Sequence, residues 1–235
     1  MNKGLNRAVL GFSLVVAVFF CFRVQKKIDA LSSGDQSEKL LYLPSGTYLK
    51  PLVVGFDNLA ADLLWIKAIG YFGSHYLTDK SYQWLYHILD LTTTLDPYFR
   101  YPYEFGGVIL AIEREDVTQS NRLLKKGMLH HPDYWRFPFL VGFNTFFYLK
   151  NPEIAARYIS RAAALPGRPA YLPKLAASLY MYTGQRETAI RFLNQMYESI
   201  EDSRLKENIL QKIAEIEKGN LPKSLEQILA EKNEG

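Results

Sequence analysis

The sequence predicts an all-α protein, in which one N-terminal membrane helix is followed by a stack of helical hairpins. Three observations support this fold class. An uncharged run of fifteen residues stands near the start of the chain. Long helical patterns with few Gly or Pro interruptions fill the chain after residue 55, and similar stretches recur 35 residues apart.

The predicted membrane anchor occupies residues 1–28, with the uncharged run AVLGFSLVVAVFFCF at residues 8–22. As a helix this run is roughly 22 Å long, and the arginines that flank it can reach the headgroups of a thicker bilayer. A signal peptide has a similar run, but here FRVQKK follows and the nearest plausible cleavage site ends only at Ala30. We therefore expect an uncleaved signal anchor, with cleavage or a merely buried helix as the alternatives.

The charges beside the anchor do not decide its orientation, because equal numbers of basic groups flank it. A short N-terminal tail usually stays in the cytoplasm. We therefore expect a single-pass protein of the inner (cytoplasmic) membrane with an extracytoplasmic repeat domain. Residues 1–30 hold five basic residues and one acidic residue, which accounts for the whole net charge of +4. The neutral remainder of the chain argues against nucleic-acid binding, which needs a basic face.

Residues 29–57 are predicted to join the anchor to the repeats. Their first part, residues 29–39, is small and polar, as in a linker. Their second part, LLYLPSGTYLKPLVVGF at residues 40–56, is too apolar to lie free in water. This apolar segment either packs on the first repeat as an N-terminal cap or engages a membrane partner, and the sequence leaves both open.

The stretch NLAADLLWIKAIGYFGSHY at residues 58–76 predicts a helix that belongs to the first repeat, capped by Asp57 or Asn58. It is apolar enough to suggest a second membrane span. Asp62, Lys67 and His75 interrupt it, however, and charged residues inside a membrane are costly.

Residues 58–200 are predicted to form about four repeats. Pro97 in LDPYFRY and Pro132 in HHPDYWRF are 35 residues apart, and steps of 35, 35 and 34 align units beginning at residues 66, 101, 136 and 170. This pattern resembles the tetratricopeptide repeat (TPR), a 34-residue helix–turn–helix with small residues at positions 8, 20 and 27 and proline at 32. The third and fourth units match the small positions best, although they lack the proline. The first unit departs most.

These small residues are expected at helix–helix contacts, because small side chains let the paired helices approach each other closely. We expect Ala155, Ala162, Ala177 and Ala189 to lie at such contacts. Residues 201–235 are predicted to end the array. Within them Ser203–Gly219 has apolar residues on one side and charges opposite, as in a terminal capping helix, and a tail follows.

The resemblance implies a concave groove lined by the first helix of each unit. The positions that line it in the family give a mainly aromatic and aliphatic set: Phe105, Ile109, Phe137, Leu140, Asn144, Phe147, Tyr148, Tyr171, Lys174 and Tyr182. Such a groove suits an apolar helix or extended segment of a partner protein. The apolar stripe of residues 221–232 could fill the groove instead.

Motifs for catalysis, phosphate binding or metal binding are not found in the sequence. The four histidines, which lack ligand spacing, are interpreted as turn and surface residues, and the single cysteine, Cys21, excludes a Cys-based zinc site and c-type haem attachment. We expect no enzyme activity, no cofactor and no metal.

The resemblance to membrane-anchored TPR proteins of bacteria implies a scaffold or assembly factor. Its partner would be a protein subunit of a membrane or envelope complex. The alternative is a glycan-binding or accessory module of an envelope enzyme, whose exposed aromatic rings would stack on sugars.

Overall fold

The computed structural model describes residues 46–219, together with Phe19 and Arg23. Every regular element in this part of the chain is a helix, so the predicted all-α class is confirmed there. None of the described helices is long and apolar enough to cross a membrane.

Three predicted segments lie outside the described residues. They are the anchor run at 8–22 apart from Phe19, the linker at 29–39, and the tail at 221–232. The compact unit that carries the ten described helices begins at Gly46.

The ten helices follow one another with short connections, and their bounds are α1 Gly46–Leu52, α2 Asp57–Tyr76, α3 Leu85–Leu95, α4 Arg100–Ile112, α5 Val117–His130, α6 Arg136–Phe147, α7 Pro152–Ala164, α8 Leu172–Tyr182, α9 Arg186–Ser199 and α10 Ser203–Glu217. The helix predicted at 58–76 is confirmed as α2. The predicted cap is wrong, because Phe56 precedes the first helical residue and no side chain caps the helix.

Pairs of consecutive helices pack as hairpins: α2 with α3, α4 with α5, α6 with α7, and α8 with α9. Each hairpin also packs on the next, and α4 contacts α6 directly. α1 packs against α3, and α10 packs against α9 and α8. The described part of the apolar segment therefore lies on the first hairpin, and the packing of the helices is repeat-like, as predicted.

The turn inside each hairpin contains one residue in the left-handed backbone region. These residues are Lys80, Glu115, Lys150 and Gly184, with φ of 54°, 57°, 50° and 75°. Residues other than glycine rarely adopt this conformation. The spacings between them are 35, 35 and 34 residues, so the backbone repeats with the period found in the sequence.

Small residues lie where the helices of a hairpin touch. Gly107 of α4 packs on Leu124 of α5, and Gly142 of α6 packs on Ile159 of α7, so the same contact recurs 35 residues later. The four alanines predicted at close contacts are all fully buried: Ala155, Ala162, Ala177 and Ala189.

A partly buried lysine joins the first two hairpins. Lys126 of α5 points its Nζ at α3, where it donates to the carboxylate Oδ1 of Asp90 at 2.8 Å and to the backbone oxygen of the same residue at 2.9 Å. The hydroxyls of Thr93 and Thr94 accept from it at 2.9 and 2.7 Å. Four oxygens therefore surround an ammonium group that has three hydrogens to donate.

The predicted capping helix is observed as α10. Its buried face consists of Ile209, Ile213 and Ile216, which belong to the same apolar cluster as Leu193 and Met196 of α9. The carboxylate of Asp202 accepts hydrogen bonds from the first backbone amides of α10, so this helix begins at a side-chain cap.

Candidate functional site

The first helices of the four hairpins share one outward side, which we call the first-helix face. It consists of sixteen positions in four rows, and within each row the residues are 35 apart: Ile66, Tyr101, Arg136 and Tyr171; Gly70, Phe105, Leu140 and Leu175; Gly73, Val108, Phe143 and Ser178; Leu77, Ile112, Phe147 and Tyr182. All sixteen are exposed or partly exposed. A period of 3.6 residues along each helix explains why the rows lie three or four residues apart.

The first-helix face is apolar and aromatic. Twelve of its positions carry large apolar or aromatic side chains, and Arg136 is its only charged residue. Ile112 is 52% exposed and Tyr182 is 59% exposed. Large exposed apolar surfaces of this kind mark interaction sites on folded proteins.

Aromatic contacts connect neighbouring first helices. The Phe105 ring of α4 lies 5.4 Å from Trp65 and 5.3 Å from Phe72 of α2, both in edge-to-face geometry. Phe146 of α6 lies 6.4 Å from Tyr182 of α8. Edge-to-face contacts of this kind restrict the orientation of both rings.

Two residues predicted to line the groove are buried, so their assignment to an exposed surface is wrong. Phe137 is fully buried and packs edge-on against Tyr103 and Tyr134 at 5.7 and 5.0 Å. Asn144 is 2% exposed, and its Nδ2 donates to Ser120 Oγ at 2.9 Å and to Asn121 at 3.0 Å. Asn144 therefore joins α6 to α5 inside the core.

The reason for this error is a rotation of the first helices in the second and third hairpins. Their packed glycines, Gly107 and Gly142, come one residue before the small position of the predicted register. One residue corresponds to a rotation of about 100°. The rotation brings Val108 and Phe143 to the outside and turns Asn144 inward.

The other predicted residues lie at or near the surface. Phe105, Ile109, Leu140 and Phe147 are partly exposed, and Tyr148, Tyr171 and Tyr182 are exposed. Lys174 is partly exposed, and its Nζ donates to Asn208 of α10 at 3.2 Å. Sequence reasoning missed Tyr101, Val108, Arg136 and Phe143, which could have been found by placing the glycines of α4 and α6 on the buried side.

The single charge of the first-helix face is already paired. Arg136 Nη1 lies 3.2 Å from Glu104 Oε2, and the Tyr134 hydroxyl donates to Glu104 Oε1 at 2.6 Å. Arg100 stacks over the Tyr134 ring at 4.6 Å. Burial and the neighbouring carboxylate raise the pKa of the Tyr134 hydroxyl. Since the charge is neutralised locally, recognition at this face would depend on apolar contact.

An open cleft of about 670 Å³ lies beside the end of the first-helix face. Ile112, Tyr148 and Leu149 form its apolar side, while Arg114 and Asp116 form part of its polar side. It could receive the end of a segment that runs along the face.

Groups of three or more acidic, His or Cys side chains in a geometry that could hold a metal do not occur among the described residues. His75 forms a pair with Asp79, with 2.6 Å between Nδ1 and Oδ1, and this hydrogen bond lowers the pKa of the exposed Asp79 carboxyl. His131 is partly exposed in the turn after α5, with its ring 6.1 Å from Tyr103 and 5.8 Å from Phe137.

Comparison of the chain with protein-family models, with curated proteins and with solved structures finds no match.

Proposed function

We propose that this protein is a membrane-anchored scaffold or assembly factor with a TPR-like fold. It binds a partner protein of a membrane or envelope complex through the first-helix face. The observation that carries this proposal is the row pattern itself, in which four helices expose apolar and aromatic residues at one constant spacing of 35.

Support for the TPR-like assignment comes from the repeat. Helical hairpins, left-handed turn residues and the packing of small residues all recur with steps of 34 or 35. The position of the packed glycines in the second and third hairpins departs from the family pattern by one residue. That departure changes which residues face outward without changing the hairpin architecture.

Support for a protein partner comes from the chemistry of the face. An apolar helix or an extended segment could place side chains between successive rows, where only one charge, already paired, would be desolvated. Residues 8–22 supply the proposed anchor in the inner membrane, which leaves the repeats outside the cytoplasm. A partner embedded in or attached to the same membrane would be close to this face.

Capture of the partner tests the proposal. The full-length protein is solubilised in mild detergent and used as bait, alongside Tyr101→Ala, Ile112→Ala and Tyr182→Ala. Each of these side chains is exposed, so we expect normal folding but weaker capture, by about 2 kcal/mol or roughly 30-fold for an anchor residue. Leu129→Ala is the matched control, because Leu129 is exposed on the second helix α5 and lies outside the face.

Two results would contradict the proposal. Equal loss of capture for the control and the face variants would place the binding surface elsewhere. Binding to envelope polysaccharide without any stoichiometric protein partner, lost on Tyr101→Ala, would instead favour the glycan-binding alternative. Deletion of residues 221–235 should leave capture unchanged or strengthen it, because a tail docked on the face can only compete.

A further inference from the structure

The turn between α1 and α2 presents an apolar tip, which consists of Leu52, Val54, Phe56 and Leu59. All four side chains are more than half exposed, and Val54 is 79% exposed. Residues 51–56 contain no charged residue. The described part of the chain therefore leaves these four large side chains uncovered.

The backbone of the turn is folded so that the tip projects. Val54 and Gly55 both have positive φ, 49° and 85°. A β-branched residue seldom adopts this conformation, which is strained and is found mostly at functional turns. Phe56 N donates to Val53 O at 2.9 Å, so the turn is internally bonded. None of the described residues has an atom within 4 Å of the position that a Cβ would take on Gly55, so this side of the turn is open.

Polarity changes along α1 toward the tip. Tyr48 and Lys50 are exposed on α1, and the purely apolar Leu52, Val54 and Phe56 come after them. Tyrosine rings and lysine side chains are the groups that proteins place at the level of lipid headgroups, with apolar residues deeper. A protrusion that binds another protein would not require tyrosine and lysine to precede the apolar residues in this way.

The exposed apolar surface continues from the tip along α2. Leu59 and Leu63 lie on one side of this helix, opposite its buried residues Ala61 and Leu64. The four-residue spacing keeps these two exposed side chains in one line. A helix with a free apolar side of this kind can lie along the surface of a bilayer.

The chain that joins the proposed anchor to the tip is short enough for both to reach the same membrane. Between Phe22, the last residue of the uncharged run, and Gly46, the first residue of α1, there are 23 residues. Even a fully extended chain of that length spans no more than about 80 Å. The turn after α1 therefore lies within reach of a membrane that holds residues 8–22.

We propose that the apolar tip inserts into the lipid on the side of the membrane that carries the repeats, and that the start of α2 lies along the headgroups. This second attachment rests on the anchoring part of the proposed function and is independent of partner binding. It would fix how the first-helix face is presented above the membrane. A second copy of the chain or another protein covering the tip is the competing outcome.

Lipid-borne quenchers test the insertion in the full-length protein. Cys21→Ser removes the only native thiol, and Val54→Cys or Leu129→Cys then introduces one label site for an environment-sensitive fluorophore. The two positions have the same exposure, 79%, but Leu129 lies on α5 away from the tip. Both proteins are reconstituted in vesicles of phosphatidylethanolamine and phosphatidylglycerol, with or without acyl-chain nitroxide lipid.

We expect a blue-shifted emission and a loss of fluorescence to the nitroxide lipid at position 54, and neither effect at position 129. Protein that does not float with the vesicles would overturn the anchor and the insertion together. Floating protein whose label at position 54 behaves like that at position 129 would overturn the insertion alone. A label at position 54 that is shielded from aqueous iodide but insensitive to nitroxide lipid would show a protein contact and also overturn it.

Discussion

At the scale of residues, two helical glycines in first helices have opposite surroundings. A Cβ on Gly142 would lie 2.7 Å from Ile159 Cδ1 and 3.3 Å from the backbone oxygen of Ala155. A Cβ on Gly73 would meet nothing within 4 Å. The same substitution should therefore have opposite effects on stability at the two sites.

We expect Gly142→Ala to destabilise the protein by about 1–3 kcal/mol, because buried Ile159 and the backbone of α7 cannot both move away. Gly73→Ala should stabilise it by about 0.5–1 kcal/mol, since alanine loses less backbone entropy in a helix. Chemical denaturation of the detergent-solubilised protein measures both. Equal midpoints for the two variants would mean that α6 and α7 do not approach closely.

His131 is expected to make the stability of the folded protein depend on pH. Its Nε2 is buried without a hydrogen-bond partner, and burial, followed by the charge of Arg100, lowers its pKa below the ordinary value of 6.5. Below that pH the unfolded chain takes up a proton at His131 more readily than the folded chain does. Stability therefore falls as the pH drops below 6.5 and is unaffected by this group well above it.

We expect His131→Gln to lose less stability than the unaltered protein between about pH 7.5 and pH 5.5, because glutamine does not titrate. Denaturation midpoints at the two pH values give the difference, which does not depend on the absolute stability of the variant. His130→Gln serves as the control. A pH dependence unchanged by His131→Gln would exclude burial of a titrating ring at this position.

At the scale of elements, the second helices begin in different ways at equivalent places. Asp116 caps α5 by accepting from Gln119 N at 2.9 Å, and Asn151 caps α7 by accepting from Ile154 N at 3.0 Å. Gln185 precedes α9 at the matching place but makes no side-chain cap. The longer amide of glutamine is not among the side chains that favour this position.

Removing the cap at Asn151 and introducing one at Gln185 should change the free energy of unfolding in opposite directions. Asn151→Ala is expected to cost about 1 kcal/mol, and Gln185→Asn to gain up to a similar amount. Gln185→Ala, which removes no cap, should be nearly neutral in the same urea titration. A stability cost for Gln185→Asn would indicate that the start of α9 differs from its equivalents in backbone geometry.

The sequence was sufficient to predict hairpins, their period and the buried alanines, because small residues at fixed intervals are visible without a structure. The outward side of α6 was not predictable in the same way. Its sequence RFPFLVGFNTFF is apolar on all sides, so the helix has no amphipathic direction to read. Only Gly142, which repeats Gly107 at 35 residues, marks the side that packs. The predicted register used the neighbouring position and so placed Phe137 and Asn144 outside.

At the scale of the whole molecule, described helices contact mainly their neighbours in the chain. Repeat arrays of this type lose structure locally from an uncapped end. A chain ending at residue 202 lacks α10, which uncovers the apolar side of Leu193 and Met196. We expect amide hydrogen exchange to accelerate in α8 and α9 and to change little in α4 and α5.

A chain ending at residue 219 is the matched control, because it keeps α10 and removes only the residues after it. It should exchange like the complete protein throughout α4 to α9. Uniform acceleration in every helix of the shorter chain would contradict local unfolding and indicate a single cooperative unit.

The apolar tip shows a further limit of prediction from this sequence. Residues 40–56 were expected to be covered, by the first repeat or by a partner, because of their composition. α1 does pack on α3, yet Val54 and Phe56 remain exposed. Val54 also has a positive φ, and no local pattern identifies a β-branched residue in that conformation.

The ammonium group of Lys126 has a consequence for chemical labelling. An amine is acylated only through a free lone pair, and every hydrogen of this group is engaged by oxygens of α3. Acetylating reagents should therefore modify exposed lysines such as Lys125 long before Lys126. The slow reaction at Lys126 would report how often its ammonium group leaves the oxygens of α3, on molecules that carry no substitution.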